Sequence, residues 1–159
     1  MILSKRWIGA FVAAFALLAD QASKAIVEAS APMFANGVPV FPGFNLVFLR
    51  NYGVTFGTFQ QVPWWILSGL ALGIVAFLCA LIWRTTSAVS VVAYGSIIGG
   101  ALGNVIDRIR YGAVTDFLDL YVGSAHWPAF NLADVAIVCG VGLLLVDGFR
   151  SGPERKSTS

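Results

Sequence analysis

Four stretches of the chain are apolar for long enough to cross a bilayer, and the polar positions gather between them. The first begins at Trp7 behind Lys5 and Arg6, is interrupted at Asp20 and resumes to Val27, which predicts one helix over about 7–27. The second, 64–83, has no charged residue and carries Trp64 and Trp83 at its two ends, where tryptophan anchors a span to the membrane interfaces. Its twenty residues make about 30 Å of helix, the thickness of the hydrocarbon core. The third, about 88–106, is again uncharged and spaces Gly95, Gly99 and Gly103 by four, a small-residue face that lets helices approach closely. The fourth runs over about 130–147, with Asp134 near its start.

The segments between the spans read differently. Residues 32–62 are too polar and too punctuated by proline to cross, and 38–40 and 44–49 have the pattern of short strands that Pro39 and Pro42 confine to sheet edges. A small sheet lying on the membrane is expected. In the 107–129 connection, Asp116 and Asp119 punctuate an apolar stretch over 114–121; it admits a short interfacial helix, though the pattern does not settle its secondary structure. Asn51, Gly53, Phe56 and Gly57 have turn character, and the 151–159 tail is polar and expected to be mobile.

Composition narrows the function classes. Of 159 residues 58% are hydrophobic and 11% charged, and the mean hydropathy is +0.81, which excludes a water-soluble globule. Ten Lys and Arg against eight Asp and Glu leave a net charge of +2, too small and scattered for a nucleic-acid partner, so the expected surface partner is membrane lipid. Cys79 and Cys139 lie in apolar runs without metal-ligand or disulfide spacing and are expected to be small packing residues; no metal site is indicated. Ala29, Ser30 and Ala31 imitate a signal-peptide cleavage site, but Asp20, Lys24 and Glu28 crowd the approach to it and Pro32 would follow the cut, so the first span is expected to be retained. Lys5, Arg6, Arg84, Arg150, Arg155 and Lys156 fall on one side of a four-span arrangement, which assigns the termini to the cytoplasm. Asp20, Glu28, Asp107, Asp116, Asp119 and Asp134 gather toward the other face.

Ionisable groups at membrane depth cost roughly 2.5 to 3.5 kcal/mol each on insertion scales, so each needs a reason. Asp20 and Lys24, four apart, share a helix face on which an ion pair neutralises both, and the spacing leaves a structural and a functional role equally open. Asn104 and Arg108 share another face at the exit of the third span, and Gly103 and Asp107 share the small one. Asn131 and Asp134 are three apart at the start of the fourth span and point toward the bundle together. Asp116 has the apolar neighbours Val114, Phe117 and Leu118, the setting of a desolvated carboxyl with a raised pKa. Two carboxyls close together in a low dielectric share a proton and act as an acid/base pair. Asp107, Asp116, Asp119 and Asp134 are the candidates, and spacing alone does not choose the pair. There is no HExxH, and the one histidine, His126, reaches a serine such as Ser96 only by an accident of folding.

The motifs resemble the bacterial prolipoprotein signal peptidases, the signal peptidase II family. Asp20-Gln21-x-Ser23-Lys24, Asn51-x-Gly53-x-x-Phe56-Gly57, Gly99-Gly100-Ala101-Leu102-Gly103-Asn104-x-x-Asp107-Arg108, Val114-x-Asp116-Phe117 and Phe130-Asn131-x-Ala133-Asp134 follow the family's order and spacing over nearly the whole chain. Thr55 departs from the usual Ala or Ser without removing a chemical group. The resemblance implies an α-helical integral membrane protein, a four-transmembrane-helix bundle with a small extracytoplasmic β-sheet cradle and a loop helix, forming a single membrane-embedded peptidase domain over 1–159. It implies an aspartic endopeptidase of the bacterial inner membrane that cuts diacylglyceryl-modified prolipoproteins on the N-terminal side of the lipidated cysteine. Asp116 and Asp134 match the catalytic dyad. Asn51, Gly53, Asn104, Arg108 and Asn131 would bind substrate or support the dyad, and Asp20, Lys24 and Asp107 would be structural. No cofactor and no metal are implied, and a monomer is expected. The rival readings are a small ion-coupled membrane transporter, which would place its acids at the midplane, and a non-enzymatic assembly subunit, which would tolerate loss of either aspartate.

Overall fold

The computed structural model describes residues 2–53 and 62–150, so Thr55, Phe56, Gly57 and the 151–159 tail lie outside the described residues. In chain order the elements are α1 (Ile2–Ala29), α2 (Ala31–Phe34), β1 (Val38–Phe41), β2 (Phe44–Asn51), α3 (Trp64–Arg84), α4 (Ala88–Tyr111), β3 (Val114–Val122), β4 (Ala125–His126) and α5 (Leu132–Arg150). Among the described residues four helices are long and apolar enough to span a membrane: α1, α3, α4 and α5.

The bundle is built around α4. In its most apolar window 67% of residues are buried, against 17% for α1 and 11% for α3 and α5, whose large apolar side chains face outward as a lipid-facing surface must. Lipid tails are as apolar as leucine, so helices associate here through close packing, and small residues permit it. A Cβ on Gly95 would meet the Gly9 carbonyl of α1, one on Gly99 the Ala13 carbonyl, and one on Gly103 the Asp20 carboxyl. Gly100, one position round the helix, faces the Ala133 carbonyl of α5 in the same way. The four-residue glycine repeat is therefore the α1 contact face.

Helix ends depart from the sequence reading in several places: α1 spans Ile2–Ala29 against the expected 7–27, and α5 continues past 147 to Arg150. The third span does not stop near 106: α4 continues through Asp107 and Arg108 to Tyr111, where Gly112 at φ +68° turns the chain and donates its N–H to the Arg108 carbonyl. The fourth begins at Leu132 rather than 130, because Phe130 bridges to Leu118 of β3 and Asn131 caps the helix.

The stretch over 114–121 is strand, not an interfacial helix, and the four-residue α2 is the short non-spanning helix among the described residues. The sheet order is β1-β2-β3-β4, all antiparallel. Pro39 does sit in an edge strand, but β2 lies between β1 and β3, so the second expected strand is interior. The sheet packs on the ends of α1 and α4 that carry Lys24 and Arg108. Cys79 and Cys139 face out of the bundle as free thiols rather than packing within it.

Candidate active site

β3 carries Asp116 into the interface between sheet and bundle. Side chains alternate along a strand, so Asp116 shares a face with Leu118 and Leu120 while Thr115, Phe117 and Asp119 face the other way. Asp116 is 1% exposed. Its Oδ2 accepts a hydrogen bond from Asn51 Nδ2 at 2.9 Å, across the β2–β3 ladder, and its Oδ1 accepts one from Asn131 Nδ2 at 2.7 Å. Asn51 is held for this task by an Asx turn in which its Oδ1 accepts from the Gly53 N–H at 3.0 Å, leaving the amide nitrogen to face the carboxyl. Burial, the largest influence, pushes the Asp116 pKa up from 3.8 to about 7; the Asn51 amide pulls it down, the charge of Asp134 raises it, and the Asn131 amide lowers it.

Asp134 stands in the first turn of α5, and its placement is a helix-capping pattern. The Asn131 Oδ1 accepts from the Asp134 N–H at 3.0 Å, and Asp134 Oδ2 accepts in return from the Asn131 N–H at 3.2 Å. This is the reciprocal arrangement of a capping box, with Asn and Asp in place of Ser and Glu. The other carboxyl oxygen, Oδ1, accepts from Asn104 Nδ2 at 2.9 Å. Asn131 is thus the hinge of the site: one end of its side chain fixes the backbone of Asp134, and the other donates to Asp116.

A buried ion cluster backs the two aspartates. Lys24 is 2% exposed and its Nζ lies 2.8 Å from Asp20 Oδ2, 3.0 Å from Asp107 Oδ2 and 3.1 Å from Asn104 Oδ1. Asp20 Oδ1 accepts from the Ala133 N–H at the start of α5, and Asp107 Oδ2 accepts from the Thr115 N–H at the start of β3. One lysine therefore ties α1 and α4 to the two segments that carry Asp134 and Asp116. The Arg108 guanidinium donates to the Gly53 carbonyl at 3.2 Å and to its own helix at Asn104.

These groups line one end of a cavity of about 650 Å³, bounded by Asn51, Gly53, Asn104, Arg108, Asp116 and Asp134 and continuing along the apolar side chains Val135 and Val138 of α5. The structure also separates the four candidate carboxyls. Asp107 is committed to Lys24, Gln21 and Thr115. Asp119 leaves β3 on the opposite face, where it pairs with His126 at 2.9 Å and Asn45 at 2.8 Å. Partial burial, the largest single influence, raises the Asp119 pKa, but the His126 and Asn45 contacts outweigh it and hold the group below its usual value. His126 is occupied there, and Ser96 bonds to its own helix at Val92, so they form no nucleophile pair.

Sequence reading did not single out the Arg50 cluster. Arg50 pairs with Glu28 at 2.9 Å, donates to Thr115 Oγ1 and lies 3.9 Å from the centre of the Tyr111 ring, while Thr115 Oγ1 donates to Glu28 at 2.7 Å. Arg50 and Thr115 are direct partners across the β2–β3 ladder, next to Asn51 and Asp116. The cluster fixes the register that brings Asn51 to Asp116. Its only sequence signal is adjacency to motif residues.

Comparison with known proteins decides the family. The profile described as Signal peptidase (SPase) II matches residues 12–150. The chain belongs to the signal peptidase II family. A lipoprotein signal peptidase of Vibrio vulnificus (strain CMCP6) is 42% identical over 157 residues, covering 95% of this chain and 92% of that protein. One of Yersinia pestis (strain Pestoides F) is 39% identical over 159 residues, covering 97% and 92%. A bacterial membrane enzyme solved by the in meso method at 2.3 Å superposes with a TM-score of 0.83 at 26% identity, covering 95% of this chain and 94% of that one. A second, at 1.9 Å, gives 0.75 at 26% identity over 91% and 94%. The expectations of a helical membrane protein with a small sheet and of a signal peptidase of aspartic type are met, and the transporter reading is not favoured.

Proposed function

We propose that Asp116 and Asp134 are the catalytic dyad of this signal peptidase II and that the substrate is a prolipoprotein whose cysteine already carries diacylglycerol. The observation that carries the assignment is Asn131, which donates to one carboxyl while capping the helix turn of the other. The supporting residues are Asn51, Gly53, Asn104, Arg108 and Asn131; Asp20, Lys24 and Asp107 hold the elements together.

Asp116, buried and raised to about 7, starts protonated and donates a hydrogen bond to the scissile carbonyl oxygen. Asp134, in a first turn where the helix dipole favours negative charge, accepts a proton from water as its oxygen adds to the carbonyl carbon. Asp116 gives its proton to the developing oxyanion, producing a neutral diol. The diol collapses as one hydroxyl proton returns to Asp116, the C–N bond breaks, and the proton on Asp134 passes to the leaving amine. That amine is the new N-terminus of the lipidated cysteine. Asn51 and Asn131 keep Asp116 aimed, and the Arg108 guanidinium offers donors to the substrate backbone at the cavity wall.

The apolar arm of the cavity along α5 suits a substrate with an apolar signal segment and acyl chains, which stays in the bilayer. The whole chain acts as one membrane-embedded peptidase domain, monomeric in lipid, in the bacterial inner membrane. Both termini are cytoplasmic and the dyad faces the periplasmic leaflet. The test is a gel-shift assay with the purified chain and matched precursors with and without diacylglycerol, in the presence of a chelator. Cleavage of the modified precursor just before its cysteine, at least tenfold faster than the unmodified one, is expected (roughly 1.4 kcal/mol of discrimination). Equal cleavage of both, or loss of activity on chelation, contradicts the reading.

A further inference from the structure

We infer that the groove between α1 and α3, at the end of the bundle away from the aspartates, binds one anionic phospholipid, with its phosphate on Arg6 and an acyl chain between the helices. Both helices lie along α4 and barely touch each other, which leaves a groove of about 350 Å³. Its floor is small and apolar: Gly9, Ala10 and Ala13 of α1 and Ile98 of α4, with Cys79 and Ile82 of α3 as the far wall. Arg6, Trp7 and Trp83 stand at one end. Trp7 is 73% and Trp83 66% exposed, the placement of interfacial tryptophans. Arg6 lies fourteen residues before Asp20 on the same helix, roughly 21 Å along its axis.

The charge at the mouth points to the occupant. The Arg6 guanidinium stacks on Trp83 at 3.9 Å from the ring centre, while its Nε is shut off from solvent and has no hydrogen-bond acceptor among the described residues. No carboxylate among those residues pairs with it, whereas the buried Lys24 at the other end of the same helix is paired with Asp20 and Asp107. A guanidinium at the edge of a bilayer needs an acceptor, and the one the bilayer itself supplies is a lipid phosphate, which matches the guanidinium fork. Lys5, whose Nζ reaches the Thr86 carbonyl, and Arg84 add positive charge at the same end, which favours an anionic headgroup. Small residues along α1 leave the space a chain needs, so headgroup and chain are recognised together.

The test is native mass spectrometry of the full chain released from micelles during titration with phosphatidylglycerol. Wild type, Arg6→Gln, Ala10→Phe and Arg84→Gln are compared, each after a circular dichroism melt. Wild type should retain one tightly held lipid. Arg6→Gln should weaken it by about fivefold or more, the effect of about 1 kcal/mol of headgroup attraction. Ala10→Phe, which keeps every charge and fills the groove, should weaken it comparably, and it carries the test if Arg6→Gln does not fold. Arg84→Gln, outside the groove, removes only general positive charge and should weaken binding by less than about twofold. Equal losses in Arg84→Gln and Arg6→Gln would mean a diffuse basic surface and overturn the site, as would unchanged binding in Ala10→Phe. Competition by glycerol phosphate as effective as by the lipid would overturn the acyl-chain part.

Discussion

Asp116 is a carboxyl that folding makes harder to ionise. Its pKa is about 7 in the fold and 3.8 in the unfolded reference, so between those values the folded state binds more protons. Its contribution to stability is therefore complete below about pH 4, falls by up to about 1.4 kcal/mol per pH unit as pH rises, and levels off above about 7. A thermal-melt series from pH 5 to 8 should show wild type losing stability relative to Asp116→Asn, which has no proton to lose; parallel curves would count against a raised pKa. The same group should give kcat/KM an inflection near neutral pH. Lys24 makes the opposite kind of demand. Lys24→Met leaves Asp20 and Asp107 buried without their cation, and a loss of about 3–5 kcal/mol is expected, read as failure to fold or a collapsed melting temperature. Both residues were visible in the sequence, because an acid or a lysine in an apolar setting stands out. Glu28, Arg50 and Thr115 were not, since interfacial polar residues are ordinary and only the strand register makes them partners.

At the scale of elements, the spans were legible because a bilayer fixes their length and apolar character. β3 was not. Its first four residues, 114–117, are all buried, so both faces are covered and the period-two alternation of polar and apolar residues that marks a strand is absent. The exit of α4 was misjudged for a related reason: Asp107 and Arg108 look like the end of a span, yet Lys24 and the cavity accommodate them one turn inside the helix. The glycine repeat was read correctly as a packing face, and its contacts sort the glycines. Gly99→Ala would press a methyl onto the Ala13 carbonyl, which cannot rotate away, and should cost about 1–3 kcal/mol by forcing α1 off α4. Gly73→Ala on α3 meets nothing within 4 Å and should leave the melting temperature unchanged or raise it slightly. Equal effects of the two substitutions in a steric-trapping or melting assay would refute the close-packed α1–α4 seam.

Across the whole molecule, the buried network around Lys24 gathers at one end of an apolar bundle, and each aspartate of the proposed dyad arrives on a different kind of element. Asp116 comes from the middle strand region and Asp134 from a helix start, with α1 supplying the lysine that connects their supports. Sequence order alone could not choose among Asp107, Asp116, Asp119 and Asp134, because the choice depends on strand parity and on which carboxyl Lys24 has already claimed. Dividing the site between sheet and bundle also sets the proposed dyad between the Lys24 network on one side and an apolar-lined cavity along α5 on the other. The most direct test is cleavage of a diacylglyceryl-modified prolipoprotein by wild type, Asp116→Asn and Asp134→Asn, each shown to be folded. Each substitution alone should lower kcat by roughly 10² to 10⁴-fold or more, while Asp119→Asn should retain most activity; a folded Asp116→Asn or Asp134→Asn enzyme that cleaves at the wild-type rate would contradict the dyad.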